Sequence, residues 1–147
     1  MQNPEKWLVA VEDSSHSRQA VEYAARMYDH FDAKPEVLLI HVLPSNSGFN
    51  RSESEEGEIT KKHQRGRKIL KEARETFEKI SGDAPTVTTM LAFGEVREVI
   101  VNTAKKHGTD HIIMGGSDMR WKLRALVSGG VINYVQNHLD CAVTVKK

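Results

Sequence analysis

Apolar and polar positions follow two rhythms along this chain. Five short runs are apolar or β-branched with little interruption: residues 7–11, 36–42, 86–92, 111–114 and 141–145. Each is too short for a helix and rich enough in valine, isoleucine or leucine to predict a buried strand. The run 86–92 is more polar than the rest, which predicts a strand at a sheet edge. Between the strands the apolar residues recur at three- and four-residue steps instead. Ala20, Val21, Ala24, Tyr28 and Phe31 fall on one helical face, opposite Arg18, Glu22, Arg26 and Asp29. A second helix, from about 55 to 80, places Ile59, His63, Gly66, Leu70, Ala73, Phe77 and Ile80 inward. A third turns Val96, Val99, Ile100, Thr103 and Ala104 inward, and a fourth runs over 131–138.

Punctuation supports these limits. Asp13, Ser14 or Ser15 can cap the first helix, because a side-chain oxygen there accepts from the free N–H groups of the first turn. Lys34-Pro35 ends that region, Ser81-Gly82-Asp83 closes the second helix, and His107-Gly108 stops the third. Residues 44–58 are rich in Ser, Asn, Gly and Glu, with Phe49 as nearly the only apolar residue. They predict a connection or a lid over a site. The order βαβαβαβαβ then predicts an α/β fold, a three-layer sandwich whose parallel sheet carries helices on both faces through right-handed crossovers. Such sheets bind ligands beyond the carboxyl ends of the strands, where the winding reverses.

One stretch concentrates candidate chemistry. The strand 111–114 runs into Gly115-Gly116, and a second pair, Gly129-Gly130, stands directly before the helix 131–138. Strand, glycine loop and helix start together can hold an anion on backbone N–H groups. If the first and fourth strands are neighbours, Glu12 and Ser14 share a crevice with Gly115, Gly116 and Ser117.

Composition narrows the field. A chain of 147 residues is the size of one domain spanning 1–147 and buries roughly two thirds of its unfolded surface. Net charge is +1 with 28% charged residues, which disfavours nucleic acid as a partner. No apolar run approaches the roughly 18 residues needed to cross a bilayer, and no leader is visible, so a cytoplasmic protein without a membrane partner is expected. The single cysteine, Cys141, reads as a plain buried thiol. Seven histidines are scattered, only His107 and His111 standing four apart with Gly108 between them, so no metal site is expected. His41, at the end of the second strand, reads as a hydrogen-bonded core histidine. Neither a Gly-x4-Gly-Lys-(Ser/Thr) loop nor a Gly-x-Gly-x-x-Gly fingerprint occurs, and no catalytic constellation is visible, so catalysis is not expected beyond at most a weak hydrolysis.

Val9-Ala-Val-Glu-Asp-Ser-Ser-His-Ser, Leu39-Ile-His-Val42, Gly94-Glu-Val, Asp110-His-Ile-Ile-Met-Gly115, Gly129-Gly-Val and Cys141-Ala-Val, in this order, resemble the universal stress protein family over essentially the whole chain. The resemblance implies a five-stranded parallel sheet in the order 3-2-1-4-5, of the adenine nucleotide alpha hydrolase-like type. It further implies ATP, with Mg2+, in the crevice between the first and fourth strands, and a homodimer formed through the terminal run that begins at Cys141 and ends at Val145. By its pattern the nucleotide-binding positions are Ala10, Val11, Glu12, Ser14, Val42, Met114, Gly115, Gly116, Asp118, Ser128, Gly129 and Gly130.

The family's phosphate pattern, Gly-x2-Gly-x9-Gly-(Ser/Thr), is broken in this chain. Counted from Gly115, its later positions hold Asp118, Ser128 and Gly129; counted from Gly116, they hold Met119, Gly129 and Gly130. A carboxylate such as Asp118 at about 4 Å from a phosphate opposes binding by roughly 4 kcal/mol at an effective dielectric near 20. Arg120, Lys122 and Arg124 offset that if they turn inward, and otherwise form a solvated cationic face. The family's strand-end Asp is Glu12 here, a carboxylate one methylene longer. Two roles stay open: a nucleotide-responsive stress module acting on a regulatory protein partner, and a nucleotide-independent interaction protein whose glycine loop is only structural.

Overall fold

The computed structural model describes residues 4–44, 53–116 and 130–147, and the side chains of all of these except 53–60. In chain order the described elements are β1 (Lys6–Ala10), α1 (Ser15–Asp29), β2 (Glu36–Leu43), α2 (Glu53–Ser81), β3 (Val87–Phe93), α3 (Val96–His107), β4 (His111–Gly115), α4 (Val131–His138) and β5 (Ala142–Lys146). The strands form one parallel sheet in the order β3-β2-β1-β4-β5. Val9 of β1 pairs with Leu39 on one side and Ile113 on the other, so the first and fourth strands are neighbours and the winding reverses between them. The more polar β3 lies at an edge, as its composition predicts.

Strand alternation sends side chains to two cores. Trp7, Val9, Val37, Leu39 and Ile113 pack with Tyr28 and Phe77 beneath α1 and α2. Leu8, Ala10, Ile40, Ile112 and Met114 pack with Ile100, Ala104, Val131 and Val135 beneath α3 and α4. Each large side chain taken out of water here contributes about 1.5–3 kcal/mol.

Ser14 caps α1, its Oγ accepting from the Ser17 N–H at 3.1 Å. Glu95 does the same for α3, and Gly108 ends that helix in the left-handed conformation, φ 64°, which a side chain would strain. Three expectations need correction. Phe31 lies beyond the end of α1 and is 36% exposed, its ring edge-on to Trp7 at 5.3 Å between centroids. Helix α2 starts at Glu53, so residues 53–58 are helix rather than connection. Glu53, Glu55 and Glu56 stand at its positive end, where acidic residues favour helix despite their loop-like polarity. Val101, absent from the expected inner face of α3, is buried.

Cys141 is half-buried, and burial foremost pushes its thiol above the ordinary value, which keeps it protonated. The His111 imidazole meets the Thr144 hydroxyl at 2.6 Å, tying β4 to β5. Burial lowers its pKa, and the neighbouring Glu5 carboxylate opposes that shift more weakly. No helix among the described residues is long and apolar enough to cross a membrane.

Candidate functional site

At the carboxyl ends of β1 and β2 the chain leaves the sheet in two directions and opens a cleft of about 320 Å³. Its floor is made by strand-end residues: Ala10 of β1 with Val11 just beyond it, and Ile40, His41 and Val42 of β2. Helix α2 forms one wall through Lys62, Arg65 and Ile69, and the start of α3 forms the other through Val96 and Ile100. Glu12 and Asp13, next along the chain, complete the lining. Such a cleft joins a largely apolar slot to a few polar groups of both signs, which suits a planar ring carrying an anionic arm.

Backbone and side-chain bonds fix this end of the sheet. The Val11 N–H donates to the Ile40 carbonyl at 2.8 Å, extending the β1–β2 pairing past the strand. The Val11 carbonyl lies 2.7 Å from Nδ1 of His41. A carbonyl only accepts, so Nδ1 carries the proton, and His41 is the hydrogen-bonded strand-end histidine expected from sequence. The Glu12 N–H donates to Ser17 Oγ at 2.8 Å, and Ser17 is in turn held to Ser14, so Glu12 leaves the strand in a fixed direction. Arg65 donates to one Asp13 oxygen at 3.1 Å and Arg18 reaches the other at 3.4 Å. Both pairs are largely solvated and weak, at about 0–1 kcal/mol each.

The first glycine pair is engaged in packing. A Cβ on Gly115 would stand 2.6 Å from the His16 carbonyl carbon and 2.8 Å from the Ser17 nitrogen, because α1 begins directly against the end of β4. A Cβ on Gly116 would run into Cγ1 of Val145, and the Gly116 N–H already donates to the Lys146 carbonyl at 3.0 Å. Gly130 precedes α4 with φ 79° and donates no side-chain cap.

Of the positions expected to bind nucleotide, Ala10, Val11, Glu12 and Val42 line the cleft together. Ser14 is buried as a helix cap, while Met114, Gly115 and Gly116 complete β4 and its exit. Asp118, Ser128 and Gly129, together with Ser117, Met119, Arg120, Lys122 and Arg124, lie outside the described residues. Sequence reasoning missed Lys62, Arg65 and Ile69. A signal existed, since the three stand at i, i+3 and i+7 on a single strip beside the inner face of α2.

Among the described residues no group of three His, Cys, Asp or Glu is placed to share a metal ion. A second cavity, of about 420 Å³, opens at the opposite end of the sheet beside Lys6, Thr86, Thr88 and His107. It lies away from the carboxyl ends, where parallel sheets of this kind hold their ligands.

Comparison with known proteins places this architecture. The universal stress protein UspA from Lactobacillus plantarum superposes over 100% of both chains with a TM-score of 0.73 at 20% identity. A universal stress protein solved in complex with cAMP aligns over 99% of both chains, with a TM-score of 0.73 and 17% identity. The universal stress protein from Archaeoglobus fulgidus in complex with dAMP aligns over 99% of this chain and 100% of its own, with a TM-score of 0.67 and 19% identity. At such identities these likenesses speak for the fold alone. The search of curated proteins finds no significant match. The model of the universal stress protein family, however, matches residues 4–147, and with that match spanning nearly the whole chain, the chain belongs to the universal stress protein family.

Proposed function

We propose that this protein is a nucleotide-responsive stress module that takes an adenine nucleotide into the cleft between α2 and α3. The observation that carries the reading is the cleft itself. Four expected binding positions, Ala10, Val11, Glu12 and Val42, converge in it from the ends of two strands, beside the apolar side chains of Ile40, Ile69, Val96 and Ile100. Glu12 supplies an acceptor for a ribose hydroxyl or an exocyclic amine. His41, holding its Nδ1 proton on Val11, offers Nε2 as an acceptor while the ring is neutral. Two similar structures contain adenine nucleotides, cAMP in one and dAMP in the other, which supports the ligand class. ATP with Mg2+ remains part of the proposal as an alternative adenine nucleotide for the same cleft.

In this reading occupancy changes how the protein presents itself to a regulatory partner, and the protein acts as a homodimer. The test is thermal unfolding with AMP, cAMP and Mg-ATP. A ligand that binds only the folded state stabilises it by mass action, about 2.7 kcal/mol at a concentration one hundred times Kd. The expected result is a rise in Tm with at least one of the three at millimolar concentration; no rise with any of them removes the nucleotide reading.

One observation favours the second role, a nucleotide-independent interaction protein. Gly115 and Gly116 are both required by packing, against α1 and β5, and the Gly116 N–H is already spent on Lys146. The glycine pair would therefore be needed even without a ligand.

A further inference from the structure

We propose that the cleft selects adenine nucleotides carrying a single phosphate, and that the phosphate is held from α2 by Lys62 and Arg65. The inference rests on the nucleotide reading above and goes on to assign the ligand's charge and the residues that meet it. Among the described residues, Lys62 and Arg65 are the cations that line the cleft, and Glu12 and Asp13 are its acids. Lys62 and Arg65 are one turn apart on the strip of α2 that overlooks the cleft, with Ile69 continuing the strip inward.

Lys62 and Arg65 can face the two charges of one phosphate dianion, and with Glu12 and Asp13 in the same cleft no positive charge of the described lining is left for a second phosphate. Each further phosphate would add negative charge to a cleft that already carries two carboxylates, and like charges in close contact oppose binding. The cavity volume agrees, since about 320 Å³ lies at the small end of ligand sites, which run from about 300 to 1,000 Å³. Arg65 is available for this role. Its present partner Asp13 is also reached by Arg18, and the Arg65–Asp13 pair is solvated, with side-chain exposures of 66% and 45%, so a phosphate displaces it at little cost. A guanidinium then has the fork geometry to meet two phosphate oxygens, while the Lys62 ammonium acts as a point charge. The anion-binding task then lies with the second helix, and Gly115 and Gly116 remain committed to packing.

Calorimetric titration of the wild type and of the Lys62→Ala/Arg65→Ala double variant with adenosine, AMP and ATP tests it. Both substitutions are at exposed helical positions where alanine favours helix, so folding is retained. Arg67→Ala is the control for loss of a cation elsewhere on α2, because Arg67 is exposed on the same helix and does not line the cleft. The expected result is that wild type and Arg67→Ala bind AMP about tenfold more tightly than adenosine, a difference of ~1.4 kcal/mol. ATP binds no more tightly than AMP, and the double variant loses the preference for AMP while keeping its affinity for adenosine. Equal binding of AMP and adenosine by the wild type, an unchanged preference in the double variant, the same loss in Arg67→Ala, or tighter binding of ATP than AMP overturns the inference. Binding of none of the three by the wild type instead overturns the nucleotide reading on which it rests.

Discussion

Gly115 stands where two requirements meet. In sequence it opens a glycine-rich loop and invites a phosphate; in the fold its missing side chain is the space into which the first turn of α1 descends, with His16 and Ser17 backbone atoms 2.6–2.8 Å from where a Cβ would be. Backbone atoms in a capped helix cannot step aside as a methyl group can. Gly115→Ala therefore should separate α1 from β4 and cost about 3 kcal/mol, near the upper end of ordinary overpacking. In a domain of this size that lowers Tm by roughly 10 °C. Differential scanning calorimetry of the variant reads the effect; a Tm within a degree or two of wild type would show that the helix has room to move. The need for a glycine was legible in the sequence. The reason was not, because it depends on contact between residues about one hundred positions apart. His41 shows the opposite case: its place at the end of an apolar strand already indicated a satisfied ring, and the bond to Val11 supplies the partner.

Elements were read from their periodicity with different success. The steps through Leu70, Ala73 and Phe77 fixed the inner face of α2, and all three are buried. Its first turns were obscured because glutamate and serine are as common in loops as at helix starts. Gly66, on the same face, would place a Cβ 2.8 Å from Leu91 Cδ1 and 3.2 Å from the His41 ring, so glycine lets α2 settle closely over the cleft floor. At the other side of the sheet β5 is an edge strand, with Val143 and Val145 only partly buried. An apolar edge of this kind invites pairing with a second copy, which would cover both the valines and the open backbone groups. Light scattering at micromolar concentration should give twice the 16.5 kDa chain mass. The mass of a single chain under those conditions would count against a dimer through β5.

For the whole molecule, the five strands follow from the apolar runs, while their order and the neighbour relation of β1 and β4 follow from the family resemblance alone, and the structure has them. The cleft was legible only along its floor. Ala10, Val11, Glu12 and Val42 belong to strand ends whose position the topology dictates, whereas Lys62, Arg65 and Ile69 arrive through the packing of a helix that begins far along the chain. Charged residues on a helix surface look alike in sequence, and only the tertiary arrangement distinguishes those that overlook a cavity from those that face water. The proposed function requires that a nucleotide enter this cleft. Titrating AMP into isotopically labelled protein and following the backbone amides by nuclear magnetic resonance tests that directly. Shifts concentrated at 10–13, 41–43 and 62–65, with the amino ends of the strands unmoved, are the expected result. An unchanged spectrum at millimolar AMP, or shifts confined to the cavity beside Thr88 and His107, would contradict it.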